Sequence, residues 1–101
     1  MDRFDELRDR IVPMLRPYFS RIAVFGSAAR GEAANDSDLD LLVKLRPVES
    51  RPPLGLFRWV ALEDELRARI GRPVDMVSEE GLSRHVRPYA ERDKVILYED
   101  Q

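Results

Sequence analysis

No cysteine occurs among the 101 residues, which excludes disulfides and thiol catalysis and disfavours a soft metal. No apolar run is long enough to span a membrane and no signal-like start is present, so a cytoplasmic protein is expected. Histidine is nearly absent too. The single His85 falls on an expected charged helix with no partner motif, where a surface or packing role is the default. Lysine is scarce, two against fifteen arginines, and the arginines are scattered rather than blocked. With a net charge of −2, that scatter leaves no nucleic-acid footprint. Internal repeats, low-complexity tracts and a second domain boundary are also missing. Residues 1–101 are therefore expected to form a single domain, whose 44% hydrophobic content suffices for one modest core.

What the chain does contain is concentrated in its first half. Arg21-Ile22-Ala23-Val24-Phe25 is a short apolar run with two β-branched residues that ends at Gly26, and it reads as a strand entering a tight turn. Gly26 lets the backbone turn and approach a ligand closely, while the Ser27 hydroxyl and free N–H groups beyond it offer donors to phosphate oxygens. Arg30 adds a fixed cation, able to grip a phosphate bidentately or to pair with a carboxylate. Only ten residues separate Ser27 from Asp38, and the turn Asn35-Asp36-Ser37 leads into Asp38 and the strand Leu39–Leu45, apolar enough to be central in a sheet. Asp38 and Asp40 project from one face of that strand. Residues two apart on a strand have Cα atoms roughly 6.6 Å apart, close enough for both carboxylates to reach one or two hard cations. Oxygen donors alone fit magnesium or manganese. A third acid, Asp75, alternates with Val74 and Met76 in a strand spanning Arg72–Val77. If that strand lies beside the Asp38/Asp40 strand, Asp75 completes a metal shell and serves as general base for an incoming hydroxyl.

The remaining elements read as scaffolding. Phe4, Leu7, Ile11 and Leu15 lie at helical spacing, in a helix that contains Pro13 and is ended by Pro17. Arg46 to Gly55 carries three prolines and reads as a loop. Leu56, Trp59, Val60, Glu63, Leu66 and Ile70 then mark a helix closed by Gly71, with Glu63 alone breaking the stripe. Phe57 and Trp59 are expected to pack in the core, with an apolar docking patch as the weaker reading. Ser78-Glu79-Glu80 looks like the start of a helix running to about Arg92, on which Arg84, Arg87 and Tyr89 form a solvated face, and Val95–Tyr98 is a last short strand. The fold class is thus α/β (α+β), a small mixed sheet of three to four strands flanked by helices. A calcium loop beginning at Asp36 is excluded, because the required glycine is Leu41 and the required bidentate glutamate is Pro47.

Gly26-Ser27-x-x-Arg30-Gly31 followed by Ser37-Asp38-x-Asp40-Leu41 resembles the signature of the polymerase-β-type nucleotidyltransferases, and the short length resembles their minimal branch. The resemblance covers about residues 20 to 77. It implies that Asp38, Asp40 and Asp75 are the catalytic carboxylates and the ligands of two magnesium (or manganese) ions. It further implies that Gly26, Ser27, Arg30 and Ser37 bind the nucleotide, with Gly26 and Ser27 on the β- and γ-phosphates of ATP. Minimal members often act as antitoxins of type VII-like toxin–antitoxin systems, transferring AMP to a tyrosine of a small helical HEPN-domain toxin. That resemblance therefore implies a HEPN toxin as acceptor and allows a hetero-oligomeric assembly, while charge scatter and the lack of a long apolar run leave no role expected for nucleic acid or membrane. The absence of room for an acceptor-binding domain favours a protein acceptor over a small molecule. A module that neutralises its partner by binding alone is the other class of reading, and the three intact acids count against it.

Overall fold

The computed structural model describes residues 4–31, 38–81, 88 and 92–100. In chain order these form α1 (Asp5–Leu15), β1 (Phe19–Phe25), the single turn α2 (Ser27–Arg30), β2 (Leu39–Leu45), α3 (Leu56–Ile70), β3 (Val74–Ser78) and β4 (Val95–Glu99). The four strands make one mixed sheet in the order β3-β2-β1-β4. β1 is antiparallel to both β2 and β4, whereas β2 and β3 run parallel. A parallel pair needs a long crossover, and α3 provides it.

Both main helices lie on one face of the sheet. Ile11 and Leu15 of α1 and Leu62 and Leu66 of α3 are buried in one cluster with Ile22, Val24, Leu41, Val43, Val74, Met76 and Leu97. Alternation sends the intervening residues to the other face, where Ala23 and Leu42, both fully buried, pack with Phe25. The expected fold class is confirmed, and α1 contains Pro13 as the sequence suggests. It closes at Leu15, with the Arg16 N–H bonded to the Val12 carbonyl, before Pro17 is reached.

Three expectations need correction. β1 begins at Phe19 rather than Arg21, because Phe19 pairs with Leu45 across a register shift. The shift lets Phe19 and Ile22 face the same core despite their odd spacing, so simple alternation misses the first two residues. The stripe of α3 holds only in part. Leu66 is buried and Ile70 packs against the core, but Leu56 is 76% exposed and Val60 also faces solvent, while Leu62, outside the expected stripe, is buried. Phe57 is 91% exposed and is not a core residue. Trp59 does reach the core, its ring standing edge-on to Phe19 at 5.8 Å and 88°. Finally, the Arg46–Gly55 loop contains one 3-10 turn, Val48–Ser50.

β3 starts two residues later than expected, at Val74, and both β3 and β4 end one residue beyond expectation, at Ser78 and Glu99. After β3 the described chain forms a 3-10 turn, Glu79–Gly81, which Ser78 caps by accepting the Gly81 N–H at 3.1 Å. Most of the expected helix to Arg92 lies outside the described residues, with Arg84, His85, Arg87 and Tyr89. Among the described residues, no helix is long and apolar enough to cross a membrane.

Candidate active site

β1 delivers the chain to Gly26, whose φ of 75° lies in the left-handed region that disfavours a side chain. A Cβ built there would lie 2.8 Å from Oδ2 of Asp40, so the carboxylate occupies the space that any larger residue would need. The approach follows from strand pairing. Phe25, the residue before Gly26, is the register partner of Asp40 on β2. Ser27 and Arg30 open and close α2, and the Gly31 N–H bonds to the Ala28 carbonyl at 3.2 Å. Ser37 lies outside the described residues.

Asp75 is the register partner of Asp40 on the other side. The conditional placement of β3 beside β2 is therefore met, with the two aspartates level across the parallel pair. Asp38 precedes β2 and is exposed, as is Asp75, while Asp40 is half-buried beside the apolar group of Ala23, Phe25 and Leu42. Burial, and then the charges of Asp75 and Asp38, raise the Asp40 carboxyl above its ordinary value. Both causes disfavour a third negative charge at this spot, and a hard cation offsets both. Among the described residues, no three His, Cys, Asp or Glu side chains are already drawn together as a metal cage. The donor set nevertheless fits a magnesium-like ion: carboxylate oxygens from two adjacent strands, mutually repelling, beside a glycine whose missing side chain leaves them room.

Sequence reasoning passed over several groups around this site. Arg21 on β1 reaches Glu79 through Nη1, at 2.9 and 3.0 Å to its two carboxylate oxygens, and Glu99 through Nε at 2.7 Å. This fork ties the turn after β3 to β1 and β4. Glu63 on α3 accepts the Met76 N–H at 2.9 Å, and Arg67 one turn later donates to the Val74 carbonyl at 3.0 Å. The visible signal for Glu63 was its place as an acid within an apolar stripe.

A family model described as a nucleotidyltransferase domain matches residues 7–98. The protein adenylyltransferase MntA of Thermococcus cleftensis is 43% identical over 61 residues, 60% of this chain and 57% of the relative, so the chain aligns with little more than half of that protein. A solved structure described as a candidate minimal nucleotidyltransferase superposes with a TM-score of 0.71 at 38% identity, covering 89% of this chain and 88% of that one. A chain from the complex of a tri-AMPylated Shewanella oneidensis HEPN toxin with its MNT antitoxin gives 0.68 at 21% identity, over 93% of this chain and 71% of its own. At that identity the likeness is one of fold.

Proposed function

The chain belongs to the nucleotidyltransferase-domain family, and from that membership we propose that it transfers AMP from ATP to a tyrosine hydroxyl of a HEPN-domain toxin, acting as its antitoxin. The observation that carries this reading is the level pairing of Asp40 with Asp75, beneath a glycine turn that only a side-chain-free residue fits. Similarity to a protein adenylyltransferase and to a candidate minimal nucleotidyltransferase supports the reaction type. The toxin acceptor is supported by the fold shared with an MNT–HEPN toxin complex.

In this reading Gly26 and Ser27 hold the β- and γ-phosphates, and Arg30 and Ser37 complete the nucleotide contacts. Asp38, Asp40 and Asp75 hold magnesium, with manganese as its substitute; when bound, magnesium supplies charge stabilisation to the attacking and leaving oxygens. Asp75 takes the proton from the acceptor hydroxyl in this reading, and its exposed side chain is in keeping with that role. The new bond joins that oxygen to the α-phosphorus. The bond to the bridging oxygen breaks, and pyrophosphate carries away the electron pair. Burial and the facing carboxylates raise the Asp40 carboxyl above its usual value, so a bound cation would favour its ionised form.

Transfer of label from ATP radioactive at the α-phosphate tests the proposal, in a lysate of the source cells with magnesium. The expected result is label on one small protein, reduced to background when Asp40→Ala replaces the native chain. Equal label with both proteins would end the transferase reading. Absence of label, with a partner still captured by folded Asp40→Ala, would leave neutralisation by binding alone.

A further inference from the structure

β3 is an edge strand, yet the backbone groups on either side of Asp75 are not left to water. Backbone polar groups alternate sides along a strand, so Val74 and Met76 present theirs outward while those of Asp75 face β2. The two outward groups that directly flank Asp75 are taken by α3: Glu63 Oε2 accepts the Met76 N–H, and Arg67 Nη2 donates to the Val74 carbonyl. Asp75 thus sits at the centre of a two-point clamp, with β2 on its other side. The clamp is placed economically, because residues four apart on a helix lie above one another and match the spacing of alternate groups on a strand.

Packing alone does not explain the choice of residues. Val74 and Met76 are already anchored by their buried side chains, and an apolar residue at 63 would continue the stripe of α3. A charge-assisted bond donated by one particular N–H to a half-buried carboxylate instead adds, beside the β2 ladder, a second fixed point for the strand along its own axis. Height is what matters for Asp75. Even a small shear of β3, short of a change of register, would take Asp75 out of line with Asp40.

We propose that Glu63 and Arg67 are positioning residues that hold Asp75 level with Asp40 and so set the affinity of the carboxylate cluster for its divalent cation. The proposal rests on the transferase reading above, and its test is built to separate the two. Manganese alone is the probe, its binding to the full chain followed by electron paramagnetic resonance, alongside hydrogen exchange of the Met76 amide and the magnesium dependence of AMP transfer. Loss of an outer partner typically weakens metal binding 10- to 100-fold, so Glu63→Ala is expected to weaken manganese binding by about 10-fold or more and to speed Met76 exchange. Glu63→Gln keeps an oxygen that accepts the same N–H and is expected to restore binding to within about threefold of native. Glu65→Ala, which removes only a surface ion pair with Arg69 on the same helix, should leave manganese affinity unchanged.

Should Glu63→Ala fail to fold, Arg67→Met removes the other half of the clamp and is expected to shift binding in the same direction. Native manganese affinity in a Glu63→Ala protein with a fast-exchanging Met76 amide would overturn the proposal. So would a Glu63→Gln variant as weak as Glu63→Ala. Failure of the transferase reading looks different: manganese would then bind native protein and Asp40→Ala equally poorly, and both ideas would fall together.

Discussion

Asp40 holds its proton more tightly in the folded chain than an ordinary aspartate, first because it is half-buried and then because Asp75 and Asp38 face it. A carboxyl whose folded pKa is raised favours the fold most below its unfolded pKa. That advantage is lost as pH rises through the raised value, where the ionised group becomes a constant penalty. Replacing Asp40 by Asn removes the charge and keeps the shape. In buffer free of divalent cations, Asp40→Asn is therefore expected to raise Tm by a few degrees at neutral pH, about 1 kcal/mol corresponding to about 4–8 °C in a domain this small. The gain should shrink toward zero as pH is lowered into the carboxylate range. Thermal melts of the two proteins across that pH series check the sign, and a variant less stable at neutral pH would contradict it. The same carboxylate that unsettles the empty fold is the one whose loss should abolish transfer. Such opposition between stability and activity is common at functional sites.

At the scale of elements, the turn from β1 into α2 is the tightest constraint. An alanine at Gly26 would adopt φ of 75° at a cost of about 1–2 kcal/mol and would also press its Cβ against Asp40 Oδ2. Gly26→Ala is expected to lose about 1–3 kcal/mol of stability by urea unfolding, and to lose transfer as well, because Asp40 must move. Wild-type unfolding midpoints in that variant would show that the turn relaxes. This unit was legible in the sequence because glycine, an apolar run and paired acids are local signals. β2 was legible over its whole length, Leu39–Leu45, and α3 over Leu56–Ile70, closed by Gly71 in the left-handed conformation. What was not legible depends on distant partners. The first residues of β1 are strand only because Leu45 pairs with Phe19 across a bulge. The inward face of α3 is set by where β3 lies, which turns Leu62 in and leaves Phe57 out. Glu63 looked like an interruption until the strand it grips was in place.

Across the described residues, six of the scattered arginines share a role. Arg8 donates to the carbonyls of Ile96 and Leu97 on the β4 edge, Arg46 to Arg16, Arg51 to Arg46, Arg67 to Val74, and Arg10 and Arg69 to each other's carbonyls. Arg46 also joins Asp100 and the Tyr98 hydroxyl, fastening the end of α1 to the end of β4. A forked donor suits this work better than a lysine ammonium, in keeping with the bias of fifteen to two. Composition alone could show the bias but not the acceptors. Outside this stitching, the first turn of α3 leaves Leu56 and Phe57 on the surface, beside a groove lined by Leu54, Gly55 and Trp59. Phe57→Ser is expected to change stability by no more than about 0.5 kcal/mol, measured by thermal melting; a larger loss would mean that the ring packs in solution. The parallel pairing of β2 with β3 has one more consequence, which concerns time. Asp40 lies in β2 and Asp38 just before it, but Asp75 reaches them only after the crossover has closed, and the entropy of that closure is repaid only by the last contacts to form. A chain still emerging from synthesis can hold two of the acids without the third, so the cluster is completed only as the crossover docks.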